Sequence, residues 1–303
     1  MIQPIPLVLF DYLEKIKMVD SPEKLLDTYT KSERNSIEEY INFLYHNEFG
    51  YFTTSHAVIS NPTMPDFQDN SIITNAIVDF NQNSVHFLDN IVDQLSDLGC
   101  KAIEVRFFNP INMIRLENCL QITHESGIDK VELLLQKSED FTWETMVLLK
   151  ETYPKLSKVT MSSSLDNIIY KHEDMVVIYT TEIICNETKC GVTGELYCIA
   201  DSRLFWESRN FNNCLYKKIS VDKNGLIRNC PSMKEEFGNI ADTRLIEVVG
   251  NKSYRKYWTI TKDSIEVCSE CELRYVCQDC RAYTIHMNNP YSKPMKCRYN
   301  PVE

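Results

Sequence analysis

The sequence contains little glycine. Only 8 of its 303 residues are glycine, and no two of them are adjacent. A phosphate-binding loop requires several glycines at fixed spacing, so a nucleotide site of that class is not indicated. The HExxH pattern of zinc proteases and the GxSxG pattern of serine hydrolases are also absent. The 6 histidines lack the spacing of metal ligands, and the sequence therefore indicates no catalytic residue.

Long apolar runs are absent as well. No stretch approaches the roughly 18 consecutive apolar residues that cross a membrane. No basic segment precedes the short apolar run at residues 5–10, as it would in a secretory signal. The 12 cysteines are too few for a disulfide scaffold in a chain of this length, and they fit a reducing compartment. We expect a cytoplasmic protein with no membrane partner.

The last third of the chain carries seven regularly spaced cysteines. Cys214 is followed by ten residues, Gly225, four residues and Cys230. Two CxxC pairs joined by five residues come next, and one more cysteine follows after sixteen residues. These five are Cys268, Cys271, Cys277, Cys280 and Cys297. Thiolates two or three residues apart can bind one centre from a single turn, and distant ones complete its shell. The pattern predicts a metal or iron–sulfur module.

Charge is unevenly distributed along the chain. The net charge is −11, yet residues 201–303 carry more Lys and Arg than Asp and Glu. A four-thiolate 4Fe–4S cluster carries a charge of about −2, which such a basic excess would offset. The excess is small and lacks interleaved aromatic residues, so a nucleic-acid partner is not expected.

The middle of the chain shows an alternation of strands and helices. Helical patterns near residues 84–98, 111–125 and 141–152 separate short apolar runs. The runs are Ile72–Phe80, Ala102–Phe108, Val131–Leu135, Val159–Ser162 and Val176–Tyr179. A spacing of roughly 27–30 residues per unit is typical of βα repeats and predicts a parallel sheet. Four or five units are too few for a closed barrel of about eight strands, so we expect an α/β fold with an open or partial barrel.

The flanking regions complete the predicted domain organisation. Residues 1–65 favour a helical region, with a linker at the two prolines of residues 61–65. Residues 66–182 form the predicted partial (βα) barrel. Residues 183–303 are predicted to form cysteine-rich loops that need metal ligation to fold.

The seven cysteines resemble the SPASM domain, which carries auxiliary clusters at the C-terminus of many radical S-adenosylmethionine peptide maturases. The match covers residues 214–297 and departs at residues 278–279, where the family usually has three residues between two cysteines. Over roughly residues 38–301, the chain resembles more closely the SPASM-domain peptide maturase of grasp-with-SPASM systems. That resemblance rests on Asn47–Phe52, Ser71–Asp79, Cys190–Gly191, Asn229–Met233, Phe237–Ile240, Cys277–Arg281 and Tyr291–Pro294.

The resemblance implies two 4Fe–4S clusters with interleaved ligands. One cluster would be held by Cys268, Cys271, Cys277 and Cys297. The other would be held by Cys214, Cys230 and Cys280. Its fourth ligand in the wider family is often an upstream cysteine. The nearest candidate here is Cys198, with Cys190 and Cys185 behind it.

Other interpretations of these cysteines remain open from the sequence. Zinc accepts the same four-thiolate shell, and Cys185, Cys190 and Cys198 could form a zinc site of their own. Disulfides are a third possibility. Arg281 would either donate hydrogen bonds to cluster sulfurs or form a surface ion pair. Cys100 and Cys119, beside apolar positions, are expected to be ordinary buried cysteines.

Two parts of a radical S-adenosylmethionine site are missing. The family's CxxxCxxC loop would follow the first strand, but residues 81–86 contain no cysteine. The Gly-Gly pair that usually follows the second strand is replaced by Asn109-Pro110. We therefore expect the protein neither to bind S-adenosylmethionine tightly nor to cleave it.

Three classes of function follow. The leading hypothesis is a cluster-binding protein that helps an ATP-grasp ligase to mature a ribosomal precursor peptide, as the resemblance implies. The peptide would lie near the strand ends at Phe80, Phe108 and Leu135, and the N-terminal region could recognise its leader. The second class is an enzyme in which an incompletely ligated cluster iron acts as Lewis acid or redox centre. The third is a structural zinc protein.

Overall fold

A computed structural model describes residues 6–16, 19, 22–47, 70–191, 193, 198–199 and 201–301. The chain divides into two compact units, residues 1–63 and residues 64–303. The linker predicted at residues 61–65 lies outside the described residues. No helix in the described ranges is both long enough and apolar enough to span a bilayer.

The first unit is helical in its described residues, as predicted. Its helices are α1 (Leu7–Ile16), α2 (Pro22–Leu26) and α3 (Lys31–His46). Helix α3 begins with a capping box, in which Thr30 Oγ1 accepts a hydrogen bond from the Glu33 amide and the Glu33 carboxylate accepts one from the Thr30 amide. The buried side chains of Tyr12, Leu25 and Ile37 form the core of this unit.

The second unit is built on one eight-stranded sheet. Its strands are β1 (Asn75–Phe80), β2 (Ala102–Phe107), β3 (Lys130–Gln136), β4 (Leu156–Ser162), β5 (Ile168–His172), β6 (Met175–Tyr179), β7 (Lys218–Val221) and β8 (Ile227–Arg228). Their order is β5-β6-β4-β3-β2-β1-β7-β8. Only the two edge strands, β5 and β8, pair antiparallel with their neighbours. The predicted α/β class with a mostly parallel sheet is confirmed.

Helices cover one face of this sheet. Helices α4 (Leu88–Asp97), α5 (Met113–His124) and α6 (Trp143–Thr152) connect the first four strands. Strand residues Val78, Val105 and Leu133 point to this side and are buried against helix residues such as Leu95 and Leu120. Cys100 and Cys119 belong to the same core, so the expectation that they are ordinary buried cysteines is confirmed.

The opposite face of the sheet is charged. Side chains alternate along a strand, so the residues between the core positions point away from the helices. We call this the polar sheet face; its charged residues include Asp79, Glu104, Arg106, Glu132, Lys158 and Lys218. Arg106 donates from Nε and Nη2 to the two Asp79 carboxylate oxygens at 2.7 and 2.8 Å, and both side chains are buried.

The C-terminal part is more regular than the sequence predicts. Instead of loops alone, the β7–β8 hairpin extends the sheet at β1, and Tyr254 and Trp258 join the main core. Three short helices follow or precede it: α7 (Ser202–Asn210), α8 (Leu245–Gly250) and α9 (Lys252–Arg255). The expectation of loops was wrong here because strands of four and two residues are too short to show a period of two.

Candidate metal centres

Four cysteines from the predicted first set surround one cavity. The first cavity has a volume of about 20 Å³, and its lining includes Lys262 and Thr193. The four cysteines are Cys268, Cys271, Cys277 and Cys297. These are the four residues that the resemblance assigns to the first cluster.

Tight local turns present these thiols. Cys268 opens a 3₁₀ helix (Cys268–Glu270), and its predecessor Val267 has φ = +66°. This backbone conformation is rare for a β-branched residue. The amide of Cys271 donates to the Cys268 carbonyl, which closes a turn that carries two thiols. Backbone strain thus sits directly beside the first cavity, as it often does at functional sites.

A second cavity is surrounded by four other cysteines. It has a volume of about 40 Å³. The four are Cys190, Cys214, Cys230 and Cys280. A cavity needs about 10–15 Å³ to hold one water molecule, and the volumes of both cavities exceed this.

The β7–β8 hairpin explains why Cys214 and Cys230 meet. Cys214 precedes β7 and Cys230 follows β8, so an antiparallel hairpin returns the second thiol to the end where the first one lies. Gly225 stands in the hairpin turn at φ = +80°, a conformation that glycine adopts readily. The spacing of Cys214, Gly225 and Cys230 in the sequence is thus the spacing of one hairpin.

A hydrogen-bonded wall separates the cavities. Two residues separate Cys277 from Cys280 in the sequence, but the two cysteines line different cavities. Between them, the Asp279 amide donates to Asn213 Oδ1, and Asn212 Nδ2 donates to an Asp279 carboxylate oxygen. The segment is therefore held rigidly, and its two thiols point into separate spaces.

Arg281 completes this wall. Its guanidinium forms two hydrogen bonds with the Asp279 carboxylate, at 2.6 and 2.7 Å, and two more with the carbonyls of Pro290 and Ser292. Both charged side chains are almost fully buried. The sequence left two roles open for Arg281, a hydrogen-bond donor to cluster sulfurs or a member of a surface ion pair. The structure instead shows a buried ion pair with a structural role.

Several thiols of the two cavities lie in environments that favour the neutral form. Burial raises the pKa of Cys230 to about 12, and the neighbouring Cys214 thiol acts in the same direction. Burial also raises the pKa of Cys268 and of Cys280 to about 11. Without a cation, these side chains remain protonated at neutral pH. Binding of a metal centre must therefore release protons.

The three upstream cysteine candidates lie in three different places. Cys190 lines the second cavity. Cys198 forms an isolated antiparallel β-bridge with Cys277, next to the first cavity. Cys185 is exposed, and its sulfur accepts a hydrogen bond from Asn186 Nδ2 at 3.7 Å. The sequence ranked Cys198 as the nearest candidate for the second set, but the structure places Cys190 there.

No three His, Cys, Asp or Glu side chains in the described part of the chain are arranged to hold one metal ion. This finding covers the zinc site considered for Cys185, Cys190 and Cys198, and it also covers both four-cysteine sets.

Two features near the cavities had no signal in the sequence. Lys262 is buried and lines the first cavity, and Lys218 directs its ammonium towards Cys214, with Nζ 3.8 Å from Sγ. Lysines are usually solvated, so the sequence could not show which of them lie beside the thiols. Gly191 was part of the family resemblance, and its role is structural: a Cβ atom there would lie 2.8 Å from Cys280 Sγ.

A third cavity lies at the carboxyl ends of β3 and β4. This strand-end cavity has a volume of about 400 Å³. Its lining consists of Lys137, Ser138, Glu139, Ser163, Ser164, Leu165, Asp166, Ile168 and Tyr179. Ser163 has φ = +59°, and the buried Ser138 hydroxyl has no hydrogen-bond partner in the described structure. Ligands of α/β folds commonly bind at this edge of the sheet.

Comparisons with protein-family models, curated proteins and solved structures find no match to this chain.

Proposed function

We propose that this protein binds two 4Fe–4S clusters. In this proposal it helps an ATP-grasp ligase to mature a ribosomally made peptide and does not cleave S-adenosylmethionine itself. The observation that carries it is the grouping of eight cysteines into two sets of four, each around its own cavity. The sets interleave, since Cys277 and Cys280 belong to different ones, and the resemblance to SPASM domains implies such interleaving.

Each set supplies the number of thiols that a 4Fe–4S cluster takes. A 4Fe–4S cluster takes four thiolates, one for each iron. The first cluster would be held by Cys268, Cys271, Cys277 and Cys297. The second would be held by Cys190, Cys214, Cys230 and Cys280. When bound, such clusters supply one-electron chemistry.

The presence of Cys190 favours an accessory role over an open-iron enzyme. With a fourth thiol at the second cavity, each iron of that cluster has a protein ligand. An iron that acts as Lewis acid needs a free position. The clusters would then stabilise the C-terminal part or carry electrons.

The peptide and ligase partners rest on the resemblance, and the fold offers a place for the peptide. The strand-end cavity lies directly after Leu135 and Ser162, at the sheet edge where α/β folds bind ligands. It combines the charged side chains of Lys137, Glu139 and Asp166 with apolar ones. A short segment of the precursor peptide would bind there and be presented to the ligase.

The metal content tests the first part of the proposal. Protein purified anaerobically should be brown and contain iron and acid-labile sulfide in equal amounts, with little zinc. Cys190→Ser should lose about half of the iron, because the second cluster loses a ligand. Cys185→Ser is the matched control and should keep all of it, since Cys185 is exposed and lines neither cavity. Colourless protein with stoichiometric zinc would support the structural zinc protein instead.

Ligation kinetics test the second part. The ligase should modify the precursor peptide more slowly, or with poorer site selectivity, when this protein is omitted. Leu165→Glu should weaken peptide binding without changing iron content, because Leu165 is 96% exposed and lines the strand-end cavity. Leu148→Glu, at a 63% exposed position on α6, is the control. Unchanged kinetics and products without the protein would refute the accessory role and favour the open-iron enzyme.

A further inference from the structure

Lys262 is a buried lysine at the first cavity. It begins a 3₁₀ helix (Lys262–Ser264), is 5% exposed and lines the cavity together with four cysteines. Its Nζ donates one hydrogen bond, to the Gln278 carbonyl at 3.1 Å. Among the described residues, no carboxylate lies within ion-pair distance of it. The neighbouring Asp263 pairs with Arg274 instead.

A buried ammonium group is unfavourable unless nearby negative charge compensates for its lost hydration. The candidates beside Lys262 are thiols. Lys262 lines the same cavity as Cys268, Cys271, Cys277 and Cys297. Its position therefore favours negative charge on the sulfurs of the first cavity.

We infer that Lys262 is the charge partner of the first 4Fe–4S cluster and sets its reduction potential. This inference rests on the proposed function. One-electron reduction takes a four-thiolate cluster from a charge of about −2 to about −3. A fixed cation inside the protein stabilises the more negative state more strongly, because the effective dielectric constant there is low. Lys262 therefore holds the potential above the value that the same ligands would give without it.

Lys218 provides an internal comparison. Its Nζ lies 3.8 Å from Cys214 Sγ at the second set, and the side chain is half-buried. Each cysteine set thus has a lysine of its own. Substitution of one lysine should change the potential of its own cluster and leave the other unchanged.

Redox titration of the cluster-loaded protein tests this inference. Dithionite is the reductant, and electron paramagnetic resonance follows each cluster, with Cys230→Ser used to identify the signal of the first one. Lys262→Met should shift the potential of the first cluster to a more negative value. A tenfold loss in stabilisation of the reduced state corresponds to about 59 mV for one electron. Lys218→Met should leave that potential unchanged.

Two further variants separate charge from hydrogen bonding. Lys262→Arg keeps the charge and should retain a potential near that of the parent. Lys262→Gln can still donate to the Gln278 carbonyl but is neutral, so it should behave like Lys262→Met. A parental potential in Lys262→Gln would overturn the inference and leave only a structural role for the lysine. Absence of iron and sulfide from the parent protein would overturn the proposed function itself.

Discussion

Gly191 shows how a single residue can decide whether two thiols share a cavity. It has φ = +84°, and a Cβ atom at this position would lie 2.8 Å from both Cys280 Sγ and Tyr283 Cδ2. Contacts this short require the neighbours to move. Because residue 191 has no side chain, Cys190 can stand beside Cys280 at the second cavity.

We therefore predict that Gly191→Ala selectively loses the second cluster. The clash and the positive φ together should destabilise this site by about 1–3 kcal/mol. Iron content should fall by about half, while the signal of the first cluster remains. Gly250→Ala is the matched control, since no atom lies within 4 Å of a Cβ atom built there. Equal iron in the two variants would show that Cys190 is not a ligand.

The candidate site was only partly predictable from single residues. The spacing of Cys268, Cys271 and Cys277 indicates a shared centre because nearby thiols can converge from short turns. The choice between Cys190 and Cys198 depends on the path of the chain before the β7–β8 hairpin. The sequence there has no periodic pattern from which that path could be predicted. Cys198 is nearer in sequence to Cys214, yet it pairs with Cys277 across a β-bridge.

Strands β1 and β2 are joined on the polar sheet face by the Asp79–Arg106 pair. The two residues are register partners, and their side chains are 1% and 7% exposed. Arg106 also interacts electrostatically with Cys190, so the pair lies close to the second set. A buried ion pair adds little by itself, but removal of one partner leaves an uncompensated buried charge.

Arg106→Leu is accordingly expected to lower the free energy of unfolding by about 3–5 kcal/mol. The double variant Asp79→Leu with Arg106→Leu should recover most of this loss, because neither charge is then left alone. Lys158→Leu is the control: its partner Glu132 is 31% exposed, so the loss should stay below about 1 kcal/mol. Urea unfolding of the three variants and the parent measures these differences. An equal loss in the single and double variants would contradict the argument.

At the level of elements, the repeating part of the fold was predictable and the rest was not. The runs at Ala102–Phe108 and Val131–Leu135 fall on β2 and β3 because their core residues recur at every second position, as in a strand with one face on the core. Strand β5 (Ile168–His172) was missed, since it is an exposed edge strand without a buried face. The β7–β8 hairpin was missed because its pairing partner, β1, lies about 140 residues away in the sequence.

In the second unit, the apolar core and the first cysteine set occupy largely different stretches of the chain. The main core includes strands β1–β4 and β6–β8 and also Leu245, Tyr254 and Trp258. Beyond these residues, the described chain contributes only small buried clusters, such as that of Ile260, Ile265 and Cys268. Stability of residues 260–301 should therefore depend on the first cysteine set, while residues 215–258 are held by the sheet and its helices.

Limited proteolysis of Cys271→Ser tests this division. Loss of one ligand should remove the first cluster. Because residues 260–301 lack a substantial apolar core, protease should then cut this segment at least about tenfold faster than in the parent. A tenfold change corresponds to about 1.4 kcal/mol of local stability. Residues 71–180 should stay protected, and so should 215–258, because the β7–β8 hairpin and Tyr254 belong to the main core. Cys185→Ser should match the parent throughout. If the variant is cut no faster than the parent, the C-terminal segment folds without its metal centre; if 215–258 is cut as fast as 260–301, the hairpin depends on the cluster rather than on the sheet.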